Sequence, residues 1–344
     1  MFSKIYEFIK KLFKENYKSL IFFICFFLVM NYPVPYYIFT SGGITDLSER
    51  FEVDGGYTQK GSYNLSYVLE LEGNILTFLA GHLIPSWEIV EMADYQITTD
   101  ESVEDLAMRS KLSLLEANQN AVMIAYEKAG KTIDIKKKNL YIAYTASYLK
   151  ATVPIKIGDV IESVDGNLVS SFEEFVDYVN KKDVGNIATL SIKRGEEIIS
   201  SDAEILEVDG KKAIGLAFYL IYDYEVSPEI TFKFSANESG ASAGLMTTLA
   251  IYDTLIEDDL TSGYKIAGTG EIYSDGSVLE IGGVKYKLKG AVESDADIFL
   301  VPAGENYEEC IKLKEEKGYD IEIVSIETFD DAVNYLESLK KEKE

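Results

Sequence analysis

The sequence predicts a mixed α+β and α/β chain: one N-terminal transmembrane helix, a small α+β module, and a C-terminal α/β domain. Three observations carry this reading. The run from Ser19 to Phe39 contains no charged residue and is long enough to cross a bilayer as a helix. Between about 135 and 205, short apolar runs alternate with turn signals around one short helical stretch. From about 206 onward, apolar strands alternate with amphipathic helical patterns, the arrangement that builds layered sheets and helices.

The bounds are firm. With 344 residues the chain can bury one large core or two to three modest ones. Its net charge of -25 argues against nucleic acid as a partner, because phosphate neutralisation needs clustered Lys and Arg. The two cysteines, Cys25 in an apolar run and Cys310 in a polar helical pattern, do not suggest a disulfide. No Cys/His cluster has metal-ligand spacing, so neither a metal nor any other cofactor is expected.

Taken in order, residues 1–18 form a basic tail with Lys4, Lys10, Lys11, Lys14 and Lys18 against Glu7 and Glu15, and the next basic residue is Arg50. That asymmetry predicts a cytoplasmic tail (1–18), an uncleaved single-pass anchor in the cell membrane (19–39), and everything beyond about residue 40 extracytoplasmic. The segment ending Asn31-Tyr32-Pro33-Val34-Pro35-Tyr36-Tyr37 lacks the small residues of a cleavage site. Residues 40–130 read as strands followed by a helix, packing on the C-terminal domain. Ser62 to Leu71 alternates, Glu72-Gly73-Asn74 turns, and Ile75 to Leu83 continues extended. Ser102 to Glu127 is helical, stopping at Gly130. His82, the one histidine, sits among apolar residues and reads as structural.

Residues 131–205 carry a more specific pattern. Gly158-Asp159-Val160-Ile161-Glu162-Ser163-Val164-Asp165-Gly166 is turn, strand, turn, and Ser171 with Glu174 forms a capping box for a helix to Val179. This stretch resembles the PDZ domains of bacterial proteases, which implies capture of peptide ends by strand addition. The segment Leu140-Tyr141-Ile142-Ala143 and the loop to Pro154 depart from the usual small-residue carboxylate loop.

The domain at 206–344 holds the chemistry. Strands Ala213 to Tyr222 and Ile230 to Phe234 lead into Gly240-Ala241-Ser242-Ala243-Gly244, and a helix Leu245 to Leu255 follows. Small residues around a serine between strand and helix suit an exposed nucleophile on a tight turn. A serine needs a base, and no histidine follows it, so the expected base is a lysine. Ile266 to Ile272 is a strand with a glycine kink, Asp275-Gly276 turns into Val278 to Ile281, and a helix opens after Gly282-Gly283 with Val284-Lys285-Tyr286-Lys287. A strand at Ile298 to Pro302 and helices near 305–317 and 327–341 complete the domain. Gly268-x-Gly270 lacks the third glycine of a dinucleotide loop and there is no phosphate-loop motif, so no nucleotide is expected.

Three ordered blocks, Gly240-Ala241-Ser242-Ala243-Gly244, Gly268-Thr269-Gly270-Glu271-Ile272 and Gly276-x-Val278-Leu279-x-Ile281-Gly282-Gly283-Val284-Lys285-x-Lys287, resemble the proteolytic domain of Lon-type serine proteases. The resemblance implies a Ser–Lys dyad with Ser242 as nucleophile, Lys285 as base and Thr269, Gly240 and Ala241 in support. Ala241 stands where the family usually has proline, and Ser239 is an alternative nucleophile. Anchor, PDZ-like module and Lon-type domain together resemble cell-surface proteases of Gram-positive bacteria that lack the ATPase part. That implies ATP-independent cleavage of flexible extracytoplasmic peptides or protein segments. The alternative is a membrane-anchored PDZ scaffold with an inert protease domain.

Overall fold

The computed structural model describes residues 2–95, 101–233 and 240–343. The chain divides into two compact units: Met1–Ser41 with Val68–Gln96, and Gly42–Tyr67 with Ile97–Glu344.

In the first unit a helix runs Phe2–Met30 and a strand begins at Pro33. This corrects the expected membrane span. Pro33 and Pro35 disfavour helix at and before their own positions, so the uncharged stretch is divided between helix and strand. Its helical part, Ser19 to Met30, rises only about 18 Å against the roughly 30 Å of a bilayer core. Among the described residues, no helix is long and apolar enough to cross a membrane. The single-pass placement, with a cytoplasmic tail and an extracytoplasmic domain, loses its basis with the span.

A second correction lies at Ile75–Gly81, which is helix and not strand. Asn74 accepts from the Thr77 N–H at 2.8 Å, and Thr77 Oγ1 accepts from the Asn74 N–H at 2.8 Å. This reciprocal cap outweighs the apolar run behind it. His82 stacks edge-on against Phe78, with Nδ1 2.9 Å from the Phe78 carbonyl. Its contacts are those of a structural residue.

The second unit holds a parallel run of strands in the order Glu322–Ile326, Ile298–Pro302, Lys265–Gly268 and the strand entered at Ser62. Alternate side chains point to opposite faces. Ile266, Ile298 and Leu300 join Leu245, Met246 and Leu249 in one core. Ala267, Phe299 and Val301 join Val284, Leu288 and Ala291 in another. The helix after Ser242 (Gly244–Leu255) therefore packs on one face of the sheet and the helix after Gly283 (Val284–Glu293) on the other. Residues from both helices can meet only past a strand end.

A separate sheet takes the order Leu216–Ser227, Thr132–Thr145, Val160–Val164, Ile187–Arg194, Glu197–Glu204. Its core includes Leu140, Ile161, Leu190 and Ile192 with Phe175 and Val179 from the helix Phe172–Asn180. Ser171 caps that helix by accepting from the Glu174 N–H, while the Glu174 carboxylate turns to the Ser170 N–H and hydroxyl. The strand Leu216–Ser227 pairs along the whole of Thr132–Thr145, from Leu216 opposite Thr145 to Ser227 opposite Thr132.

The long helix Val103–Lys128 lies against both these strands and the Gly244–Leu255 helix. Ser102 and Asp105 form its capping box. Ala121, Val122, Ala125 and Tyr126 are fully buried in the same core as Leu245 and Met246.

Candidate active site

Ser242 sits half-buried in the turn before Gly244–Leu255. The turn is tight at both ends. Gly240 has φ +87°, a left-handed value that favours glycine. A Cβ on Gly244 would come within 2.9 Å of the Ile272 nitrogen, so only glycine lets these backbones approach. The Ala241 carbonyl accepts from the Gly244 N–H at 3.0 Å, and Gly240 donates its N–H to the Ser110 carbonyl at 3.0 Å. Asn237, Glu238 and Ser239, including the alternative nucleophile, lie outside the described residues.

The segment after the strand Lys265–Gly268 docks onto this turn. Gly270 N–H donates to the Ser242 carbonyl and Leu245 N–H donates to the Gly270 carbonyl, both at 3.0 Å. Thr269, fully buried, donates its hydroxyl to the same Ser242 carbonyl at 3.1 Å. The Thr269 Oγ1 in turn accepts from Nζ of Lys287 at 3.1 Å. The structure thus joins Ser242, Thr269 and Lys287 past the end of an inner strand, one from each face of the sheet and Thr269 from the strand end between them.

Lys285, the lysine singled out in the sequence, goes elsewhere. It is half-buried, and its Nζ lies 5.1 Å from the centre of the Tyr286 ring. Helical periodicity explains the difference. Val284, Leu288 and Ala291 define the inward face, and position 287 lies within about 60° of Val284 around the axis, while position 285 lies about 100° away on the other side. Lys287 is therefore 4% exposed. The signal was present in the sequence as the spacing 284, 287, 288, 291, and the Gly-Gly register obscured it.

Burial alone pushes the Lys287 ammonium down from 10.5 to about 7, because desolvation disfavours the charged form. A lysine with this value is substantially neutral near pH 7 and has a lone pair to offer. The Lys287 carbonyl is itself pinned by the Ser66 hydroxyl at 2.6 Å, which fixes the turn of helix that carries it.

One carboxylate belongs to this segment and interacts with another on the long helix. Burial raises Glu271 above the ordinary carboxylate range. Burial and then the Glu271 charge raise Glu116, on the long helix, to about 7, partly offset by the Leu220 N–H. Among the described residues, no group of three His, Cys, Asp or Glu side chains is placed to hold a metal ion.

Comparison with known proteins bears on this site. Residues 234–338 match the family model of the Lon protease (S16) C-terminal proteolytic domain. The Lon protease of Campylobacter jejuni is 35% identical over 99 residues, covering 28% of this chain and 12% of that protein. The Lon protease of Malacoplasma penetrans is 39% identical over 100 residues, covering 29% of this chain and again 12% of that protein. The chain thus spans a small part of these relatives' length. Among solved structures, the PDZ domain of an SdrC-like protein from Listeria monocytogenes is 28% identical over 23% of this chain and 85% of its own, with a TM-score of 0.22. The family-model match over residues 234–338 and the likeness to these Lon proteases support a serine endopeptidase of the Lon type.

Proposed function

We propose that this chain cleaves flexible peptides or protein segments with Ser242 as nucleophile and Lys287 as general base. The observation that carries this is the burial of Lys287, with its Nζ on the hydroxyl that also holds the Ser242 turn. Neutral Lys287 takes the Ser242 Oγ proton as the oxygen attacks a peptide carbonyl carbon. The tetrahedral intermediate collapses with C–N cleavage, and the leaving amine receives the proton from Nζ. Water, activated by Lys287 in its turn, then releases the acyl group. Thr269 orients the ammonium and the turn together. The oxyanion falls to backbone N–H groups at the Ser242 turn.

The α+β module suits substrate capture. An apolar groove of about 310 Å³, lined by Tyr144, Tyr148, Phe172, Phe175, Val179 and Ile214, lies between a helix and a sheet margin, where an extended peptide can add. Cleavage by this chain requires no nucleotide in this reading.

The test is cleavage of unstructured peptides by the chain and its variants, with and without ATP. Ser242→Ala and Lys287→Met abolish turnover, and Lys285→Met retains it. Activity that survives Lys287→Met but not Lys285→Met would move the base to Lys285. Activity lost on Ser239→Ala but kept in Ser242→Ala would move the nucleophile. No cleavage by the unaltered chain would favour the inert scaffold.

A further inference from the structure

We infer that Asn120 is a positioning residue for the Ser242 turn, supplied by a helix outside residues 234–338. This rests on the Ser242–Lys287 reading. The segment Thr269–Ile272 is the only described stretch bonded to the Ser242 carbonyl by both a backbone and a side-chain donor. Its first residue is fixed, since Thr269 N–H donates to the Leu300 carbonyl at 3.0 Å. Its last residue pairs with Val278 in a short hairpin, and on the side of the long helix its carbonyl is held by Asn120, whose buried Nδ2 donates to it at 3.1 Å. Between these two anchors Gly270 makes its pair of bonds with the serine turn. Releasing one anchor frees Gly270 and Thr269 to drift, and reacting groups lose rate steeply with small misplacement.

The same helix meets the turn at a second point, where the Ser110 carbonyl accepts from Gly240 N–H. Ser110 and Asn120 lie ten residues apart, about 15 Å along the axis, so the helix brackets the turn and the segment behind it. The neighbouring Gln119 faces a different element. Its amide donates to the Leu220 carbonyl at 3.1 Å and accepts from the Tyr222 N–H at 2.6 Å. Gln119 seats the helix on the strand Leu216–Ser227, and Asn120 reaches the site. Adjacent residues with comparable burial thus provide a built-in control.

The experiment compares Asn120→Leu and Gln119→Leu in the full chain. For each, kcat and KM on a flexible peptide are normalised to the amount of serine titrated by a fluorophosphonate, and amide hydrogen exchange is followed at Leu245, Gly270 and Ile298. Asn120→Leu lowers kcat per titrated site at least tenfold with KM within threefold. It also shifts the midpoint of the acidic limb of the pH profile and speeds exchange at Gly270 at least tenfold, leaving Ile298 protected. Gln119→Leu leaves kcat per site and the limb within twofold of the unaltered chain. Asn120→Gln, which keeps the donor, recovers part of the rate. Unchanged exchange at Gly270 in Asn120→Leu would overturn the inference, as would equal losses in the two variants. Should the unaltered chain cleave nothing, the dyad reading falls, and exchange at Gly270 still decides the role of Asn120.

Discussion

Two buried ionisable groups, one in each half of the second unit, meet opposite fates. In the α+β module Asp159 is 2% exposed, and Arg194 grips it with Nε at 2.8 Å and Nη2 at 2.7 Å while the Lys156 N–H adds a third bond at 2.8 Å. That fork raises Arg194 further above its ordinary value, with the hydrogen bond to Asp159 as the main cause. Lys287 is equally hidden, yet its Nζ rests on the neutral hydroxyl of Thr269, and desolvation brings it to about 7. A buried group given an opposite charge is tied into the structure by it. One given, among the described residues, only a hydroxyl is drawn down towards neutrality, where the proposed mechanism can use it as a base. The first is architecture, and the second is chemistry.

The sharpest way to break the contrast is at the dyad. Ser242→Ala and Lys287→Met each lower kcat on an unstructured peptide by roughly a thousandfold or more. Asp159→Asn leaves kcat per titrated site within about twofold. A catalytic loss at Asp159 matching that at Lys287 would erase the distinction. The pH profile sharpens it. Activity rises with pH through about 7 as Lys287 loses its proton, and Lys287→Arg stays inactive throughout because arginine remains protonated.

Stability changes take opposite signs. Between pH 7 and 10.5 the unfolded chain binds the Lys287 proton and the folded chain does not, so folding stability climbs with pH across that window. Lys287→Met removes the penalty and raises stability at pH 7 by about 4 kcal/mol, vanishing near pH 10.5, as urea unfolding will show. Asp159→Asn instead lowers stability by about 1–3 kcal/mol, since it leaves Arg194 without its charge partner. A stabilising Asp159→Asn would refute the architectural role.

The smallest effect belongs to Glu116, raised to about 7 by burial and then by Glu271. Its folded form holds a proton that the unfolded form releases between about pH 4.5 and 7, so its contribution to stability is lost as pH rises through that range. Glu116→Gln flattens this and adds about 1 kcal/mol at pH 8, discounted for its partial exposure. A stability curve unchanged in Glu116→Gln would show that folding does not raise the Glu116 carboxyl.

Local signals were legible where one turn of chain decides them. The cap at Ser171, the helical pattern from Ser102, the turn around Ser242 and the strands entered at Ser62, Ile266 and Ile298 all follow from neighbours within a few residues. Ile75–Gly81 is an apolar run that patterns as extended, and it is helix because Asn74 and Thr77 close a capping box. At the N-terminal span the uncharged stretch runs through Phe39, but the helix ends at Met30 and Pro33 begins a strand.

By itself, then, the sequence determined the three blocks that resemble a Lon-type domain and the serine they present. Only the tertiary structure decided which lysine is buried against Thr269, whose hydroxyl also holds the Ser242 carbonyl. Lys285 and Lys287 have the same side chain, and they differ by 200° around one helix. One meets an aromatic ring and solvent; the other meets the core and Thr269 at the end of a strand. Asn120 enters from a helix more than a hundred residues away for the same reason: basicity and position are set by what packs around a group, and that is known only once the chain has folded.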